Sequence, residues 1–205
     1  MKILLIGGSG NIGRAIAAKL SGRHEIIAAG RHHGDVRVDI EDEDSIAAMY
    51  RQLPRLDAVA VATGSRNGHV GPLAEMNAER YRVGLDSKLI GQVNVVLRGL
   101  DHLTDGGSFT LVGSAWQPQA IVPLLSNVYM ANAALEGFVN AAAVELPRRL
   151  RINLVSPLLL AESEAEYGPL FRGVPLVEAR QVARAYSLSI EGAQTGQTYR
   201  LGRLD

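Results

Sequence analysis

The stretch that most constrains the fold is "ILLIGGSGNIGRAI", residues 3–16. An apolar run suited to a buried strand stops at Gly7 and a helical pattern starts at Asn11, with Gly7, Gly10 and Gly13 spaced three apart around the turn. Glycines at such places permit a sharp strand-to-helix turn, close approach of an anionic ligand to the backbone, and tight packing of helix on strand. Free N–H groups at the helix start attract the anion's charge. The spacing predicts a pyrophosphate cradle built from Gly7, Ser9, Gly10, Asn11, Ile12 and Gly13. The alternative is a tight turn that holds nothing.

The rest of the chain repeats this strand–helix alternation. Strands are expected at 2–7, 25–30, 36–40, 57–63, 108–114, 151–157 and 197–202, and helices at 11–20, 42–53, 78–100, 130–146 and 175–190. The first, fourth, fifth and sixth strands are almost continuously apolar, as strands are when helices cover both faces of a sheet. With 205 residues there is room for one large domain, 1–205, and the expected fold is a Rossmann-like, doubly wound α/β domain on a seven-stranded parallel sheet. Residues 158–174 have no regular period and read as a loop or a short helix.

Charge and composition remove several classes of function. Lys plus Arg number 21 and Asp plus Glu 21, so no net field favours nucleic acid or an anionic membrane. Cysteine is absent, which excludes a disulfide scaffold, a thiolate metal site and a thiol nucleophile. The five histidines show no metal-ligand spacing, so no metal is expected. The apolar run at the N-terminus is too short to span a bilayer, and the expectation is a cytoplasmic protein without a membrane or nucleic-acid partner.

Arg31 follows the second strand, where a dinucleotide fold meets the adenosine ribose. A carboxylate there would bind both ribose hydroxyls, whereas an arginine suits a 2′-phosphate. NADP(H) is therefore preferred and NAD(H) remains possible, with Asp35 as the competing ribose ligand. Asp39 and Ile40, at the end of the third strand, are placed beside the adenine.

As a whole, the pattern resembles the short-chain dehydrogenase/reductase family over essentially the full chain. The resemblance rests on "GGSGNIG" (7–13), "VDI" (38–40), "AVATG" (60–64), "GGSFTLVGS" (106–114), "YMANAALEGFVNAAAVEL" (129–146), "RINLVSP" (151–157) and "TGQTYRLG" (195–202). It implies a cofactor site that also takes in Ala62, Thr63, Gly64 and Pro157, and a catalytic pair of Ser114 and Tyr129. Two departures bear on the chemistry. Read from Tyr129, the family lysine four residues on is Ala133, and the family asparagine three residues before Gly91 is Lys88. Lys88 is a candidate relocated cation, or else a surface lysine with its stem along apolar neighbours.

The functional expectation is an NADP(H)-dependent oxidoreductase that reduces a small carbonyl, with Tyr129 as proton donor, Ser114 as oxyanion partner and Lys88 as the nearby cation. A catalytically impaired NADP(H) sensor and a cofactor-free structural subunit are the alternatives. Leu158, Leu159 and Leu160, after Pro157, favour a small or apolar carbonyl or alcohol substrate. The apolar circumference of the helices around 78–100 and 130–146 predicts a homodimer or homotetramer, with Ala142 expected on the outer face.

Overall fold

The structure, a computed structural model, describes residues 1–63, 70–114 and 122–202. In chain order the elements are β1 (Lys2–Ile6), α1 (Asn11–Leu20), β2 (Glu25–Gly30), β3 (Val36–Arg37), α2 (Glu43–Arg51), β4 (Leu56–Val61), α3 (Ala78–Leu85), α4 (Gln92–Gly99), β5 (Leu103–Val112), α5 (Ser126–Glu145), β6 (Arg151–Pro157), β7 (Leu159–Leu160), α6 (Glu164–Tyr167), β8 (Leu176–Val177), α7 (Ala179–Glu191) and β9 (Thr198–Leu201). Seven of the strands form one sheet in the order β3-β2-β1-β4-β5-β6-β9. Every pairing within it is parallel. This is the doubly wound sheet expected from the sequence.

Successive residues of a strand face opposite sides, and both sides here are covered. Leu4, Ile6, Val59, Val61, Phe109, Leu111, Ile152 and Leu154 pack on one face with residues of α2, α4 and α5. Ile3, Leu5, Ala58, Ala60 and Val155 pack on the other with residues of α1 and α7. That two-sided burial is the reason the strands are apolar without a break. A third, smaller cluster joins Leu125, Tyr129, Leu158, Leu159 and Phe171 above the carboxyl ends of β5 and β6.

Several boundaries differ from expectation, among them α5, which starts at Ser126 and not at 130, and α7, which starts at Ala179 and not at 175 because Leu176–Val177 form β8. The third strand is only Val36–Arg37, because Asp39 turns the chain by accepting from the Glu41 N–H while Ser45 takes the Asp39 N–H. β5 starts at Leu103, earlier than Ser108, with a register shift against β4 between Leu56 and Ala58. The long helical stretch 78–100 is broken into α3, a π-helical segment at Asp86–Gly91, and α4. Residues 158–174 carry β7, a 3-10 turn at Ala161–Ser163 and α6. No helix among the described residues is long and apolar enough to cross a membrane.

Candidate functional site

The β1–α1 turn has the form its glycines predict. Gly7 has φ +89, and a side chain there would lie 2.9 Å from the backbone of Ala62. A Cβ on Gly13 would overlap the Gly7 carbonyl oxygen and the Gly8 backbone, so α1 packs on the turn only with glycine at 13. Gly10 differs, since a Cβ there would meet nothing closer than 3.6 Å. The protein's own packing does not require that glycine, but a ligand lying against the backbone would. Gly10 is also the N-cap of α1 and no side chain caps the helix, which leaves N–H groups for an anion. The turn therefore fits a pyrophosphate.

From this turn a cleft of about 650 Å³ runs over the carboxyl ends of the central strands. Ser9, Gly10, Asn11, Ile12, Ala62, Thr63, Ser114, Lys88 and Pro157 all line it, so most of the residues singled out in the sequence come together. A second, smaller cavity of about 290 Å³ shares Gly7, Ser9 and Thr63 with the first and is walled by Arg31, His32, His33 and Ile40. Its position beyond the turn suits an adenosine end. Arg31 holds Asp39 at 3.3 Å through Nε and Glu41 at 3.1 Å through Nη2. Asp39 lines neither cavity; its carboxylate is used on Arg31 and on its own turn. The Asp35 carboxylate accepts from the Ala28 N–H at 2.8 Å, which commits it to the β2–β3 connection. Gly64 lies outside the described residues.

At the opposite end of the cleft, β5 delivers Gly113 and Ser114, and two buried amides fix that strand end. Gln92 accepts from the Val112 N–H at 2.9 Å and donates to the Val112 carbonyl at 3.0 Å. Asn132 accepts from the Ser114 N–H at 2.7 Å and donates to the Val128 carbonyl at 2.8 Å. Both side chains are almost wholly buried, so losing either would leave backbone groups unpaired. Sequence reading did not single out Gln92 and did not assign Asn132 this role. Each is a polar residue inside an apolar helix run, and that pattern was the available signal.

Helix α5 presents Asn127, Val128, Ala131 and Asn132 to the cleft. Tyr129 is not on the wall. Its ring packs among Leu125, Leu158, Leu159 and Phe171, and its hydroxyl accepts from the Val122 N–H at 2.7 Å. Burial raises the phenol's pKa, and the Val122 hydrogen bond opposes that rise only in part. The expected geometry placed Tyr129 and position 133 on the cleft, but the pair that faces it one position earlier is Val128 and Asn132, with Asn127 and Ala131 a second pair at the same spacing. One residue along a helix is a rotation of about 100°, enough to turn a side chain off a wall. Neither pair contains a phenol or an ammonium.

Lys88 is on the wall, in the π-helical segment. It is half-buried, and burial lowers its pKa to about 8. Among the described residues its ammonium has neither an ion-pair partner nor a hydrogen-bond acceptor. The far side of the cleft is formed by Leu158, Leu159, Leu160 and Phe171, with Ser163, Glu166 and Tyr167 along α6 and the turn before it. Asn127 also lines the cleft and is buried, and its Nδ2 has no acceptor among the described residues.

A family profile described as enoyl-(acyl carrier protein) reductase matches residues 11–183. With the fold and the cleft described above, this defines the class: the chain belongs to the short-chain dehydrogenase/reductase family of NAD(P)-dependent oxidoreductases. The protein lin1944 from Listeria innocua is similar at 46% identity and a TM-score of 0.93, over 98% of this chain and 99% of that one. A small-chain dehydrogenase crystallised in complex with NADPH is 25% identical with a TM-score of 0.86, over 98% and 96% of the two chains. Another small-chain dehydrogenase is 26% identical with a TM-score of 0.82, over 98% and 95%. No curated protein matches the chain.

Proposed function

We propose that the protein reduces a small, largely apolar carbonyl compound with NADPH. The observation that carries this reading is the continuity of the cleft, from the glycine turn at Gly7–Gly13 through Thr63 to Ser114 and Pro157, ending against the leucine wall. A dinucleotide laid along it would put its pyrophosphate on the α1 N–H groups and its nicotinamide beside Ser114 and Pro157. When bound there, NADPH supplies the hydride equivalent. The chain's own residues do the rest: Ser114 donates a hydrogen bond to the substrate oxygen, and Leu158, Leu159, Leu160 and Phe171 exclude water and select for apolar substituents.

The preference for NADPH rests on Arg31, His32 and His33 around the smaller cavity, with Asp35 occupied elsewhere, and it is supported by the NADPH-bound relative. Fluorescence titration should show NADPH binding at least about tenfold tighter than NADH, a difference of about 1.4 kcal/mol. Equal affinities would refute the preference, and Arg31→Ala should erase it. NADPH oxidation over a panel of aromatic aldehydes, cyclic ketones and quinones tests the reductase. The sensor reading is favoured by the absence of a phenol and a family-type lysine on the α5 wall, and it takes precedence if NADPH binds and nothing on the panel turns over.

The same reading includes a homo-oligomer. Ala142 packs partly buried against the core, so it is not on the outer face. The exposed stripe of α5 is Met130, Ala134, Gly137, Ala141 and Val144, alternately four and three apart, and Val144 is 86% exposed. Val83, Ile90 and Leu97, seven apart along α3, the π-helical segment and α4, are exposed as well. Helices carrying such stripes bury them against copies of themselves. Light scattering should give at least twice the 21.9 kDa chain mass, and Ala141→Arg should reduce it to one chain. A monomeric starting protein would refute this part.

A further inference from the structure

Resting on the reductase reading, we propose that Lys88, and not a tyrosine, gives the proton to the substrate oxygen, from an ammonium that lines the same cleft as Ser114 and Asn132. The juxtaposition is built through the backbone. Nε2 of Gln92 donates both to the Lys88 carbonyl at 2.7 Å and to the Val112 carbonyl at 3.0 Å, so one amide nitrogen ties the lysine's segment to the strand that carries Ser114. Asn132 holds Ser114 from the other side. The π-helical segment brings this about locally: it widens the helix by a residue between α3 and α4, and Gly91 at its end lets the chain come within 2.6 Å of the Ile40 carbonyl, measured from where a Cβ would stand.

Among the described residues, the titratable groups facing the cleft are few. Of the elements packed against the Lys88 segment, α3 contributes Gly84 to the wall, α4 contributes nothing, and α5 contributes Asn127, Val128, Ala131 and Asn132, none of which ionises. Glu166 and Tyr167 of α6 are the remaining ionisable groups among the described lining residues, and Glu166 makes no ion pair with Lys88. An unpaired, half-buried ammonium is unfavourable for folding, so its presence calls for a role beyond stability. Burial places its acidity near neutral pH, where a general acid works best.

Bound NADPH would supply a hydride, its ring C–H bond breaking as a C–H bond forms at the carbonyl carbon and the carbonyl π pair moves to oxygen. One Nζ–H bond of Lys88 then breaks as the O–H bond forms. The products are the alcohol, the oxidised cofactor and a neutral amine, which recovers its proton from water.

The chain has three lysines, Lys2, Lys19 and Lys88, so ε-13C-lysine labelling gives three side-chain resonances, with Lys88→Met to assign the one of interest. That resonance is expected to titrate near 8 and to shift when NADPH is added, and to shift differently with NADP+, while Lys2 and Lys19 stay still. Lys88→Met and Lys88→Arg should bind NADPH within about threefold of the starting protein and lose carbonyl-dependent NADPH oxidation by about 100-fold or more. The starting protein's rate should fall as pH rises through 8, as the acid loses its proton. NADPH binding with an unmoved Lys88 resonance overturns the lysine's role alone, and so does full activity in Lys88→Met or a loss confined to Tyr167→Phe. No NADPH binding at all overturns the reductase reading, and the lysine's role goes with it.

Discussion

The two ends of the cleft are built from different materials. At the β1–α1 turn, recognition is carried by backbone: Gly7 holds a positive φ, Gly13 makes room for α1, and uncapped N–H groups face the cleft. At the β5–α5 end, chemistry must come from side chains, and there α5 presents Asn127, Val128, Ala131 and Asn132. A backbone site tolerates sequence change so long as its glycines stay. A side-chain site is lost or moved by single substitutions. On the proposed reading, cofactor binding and proton delivery are separable, and substitutions should pull them apart.

The largest effect is expected at the backbone end. Gly13→Ala places a methyl group into the Gly7 carbonyl, and neither group can move without unmaking the turn. NADPH affinity should drop by more than about 100-fold, roughly 3 kcal/mol. Titration of the purified variant checks this, with circular dichroism to confirm that the sheet remains. An affinity within a few-fold of the starting protein would mean that the turn does not hold the cofactor, and the contrast between the two ends would lose its first half.

The next effect is one of stability and has the opposite sign. Because burial lowers the Lys88 pKa from 10.5 to about 8, the unfolded chain binds more protons than the folded one between those values, and the charged lysine destabilises the fold wherever it is protonated. That penalty is fully present below pH 8 and disappears as pH rises from about 8 to 10.5. Lys88→Met should raise stability at pH 7 by ~2 kcal/mol, each pKa unit being worth about 1.4 kcal/mol and the side chain being only half-buried. Urea melts at pH 7 and pH 10.5 measure it. A variant less stable than the starting protein at pH 7 would make Lys88 a structural residue.

What was legible in the sequence follows the same division. Gly7, Gly10 and Gly13 state a backbone geometry by their identity, and the unbroken apolar strands state two covered faces, so the fold and the form of the β1–α1 turn could be read directly. The direction a helical side chain faces is not stated by identity. Helix α5 is small or apolar nearly all round, with Met130, Ala134 and Val144 exposed and Ala131, Leu135 and Val139 buried, so no polar face marked which residues meet the cleft. Tyr129 drew the reading because it is a tyrosine, one position away from the wall. The π-helical segment was equally hidden, since Asp86–Gly91 continues the helical period of its neighbours, and its extra residue is visible only in the hydrogen bonds. Asn127 was read as helix and not as site for the same reason.

The smallest effect is expected from Tyr129→Phe, and it is the most direct check on the corrected register of α5. The ring's packing among Leu125, Leu158, Leu159 and Phe171 would be kept, and only the hydroxyl, with its bond from the Val122 N–H at 2.7 Å, would go. Losing an acceptor of this kind costs about 1 kcal/mol, more where the orphaned N–H cannot reach water. Stability should fall by about that amount, with NADPH affinity unchanged and carbonyl reduction within about threefold of the starting protein. A proton donor in contact with substrate would behave otherwise, losing 10²-fold or more in turnover. A loss of that size in Tyr129→Phe, with NADPH affinity intact, would place the phenol back at the reacting centre and reduce Lys88 to a cation beside it, because two groups cannot both be the obligatory donor of one proton.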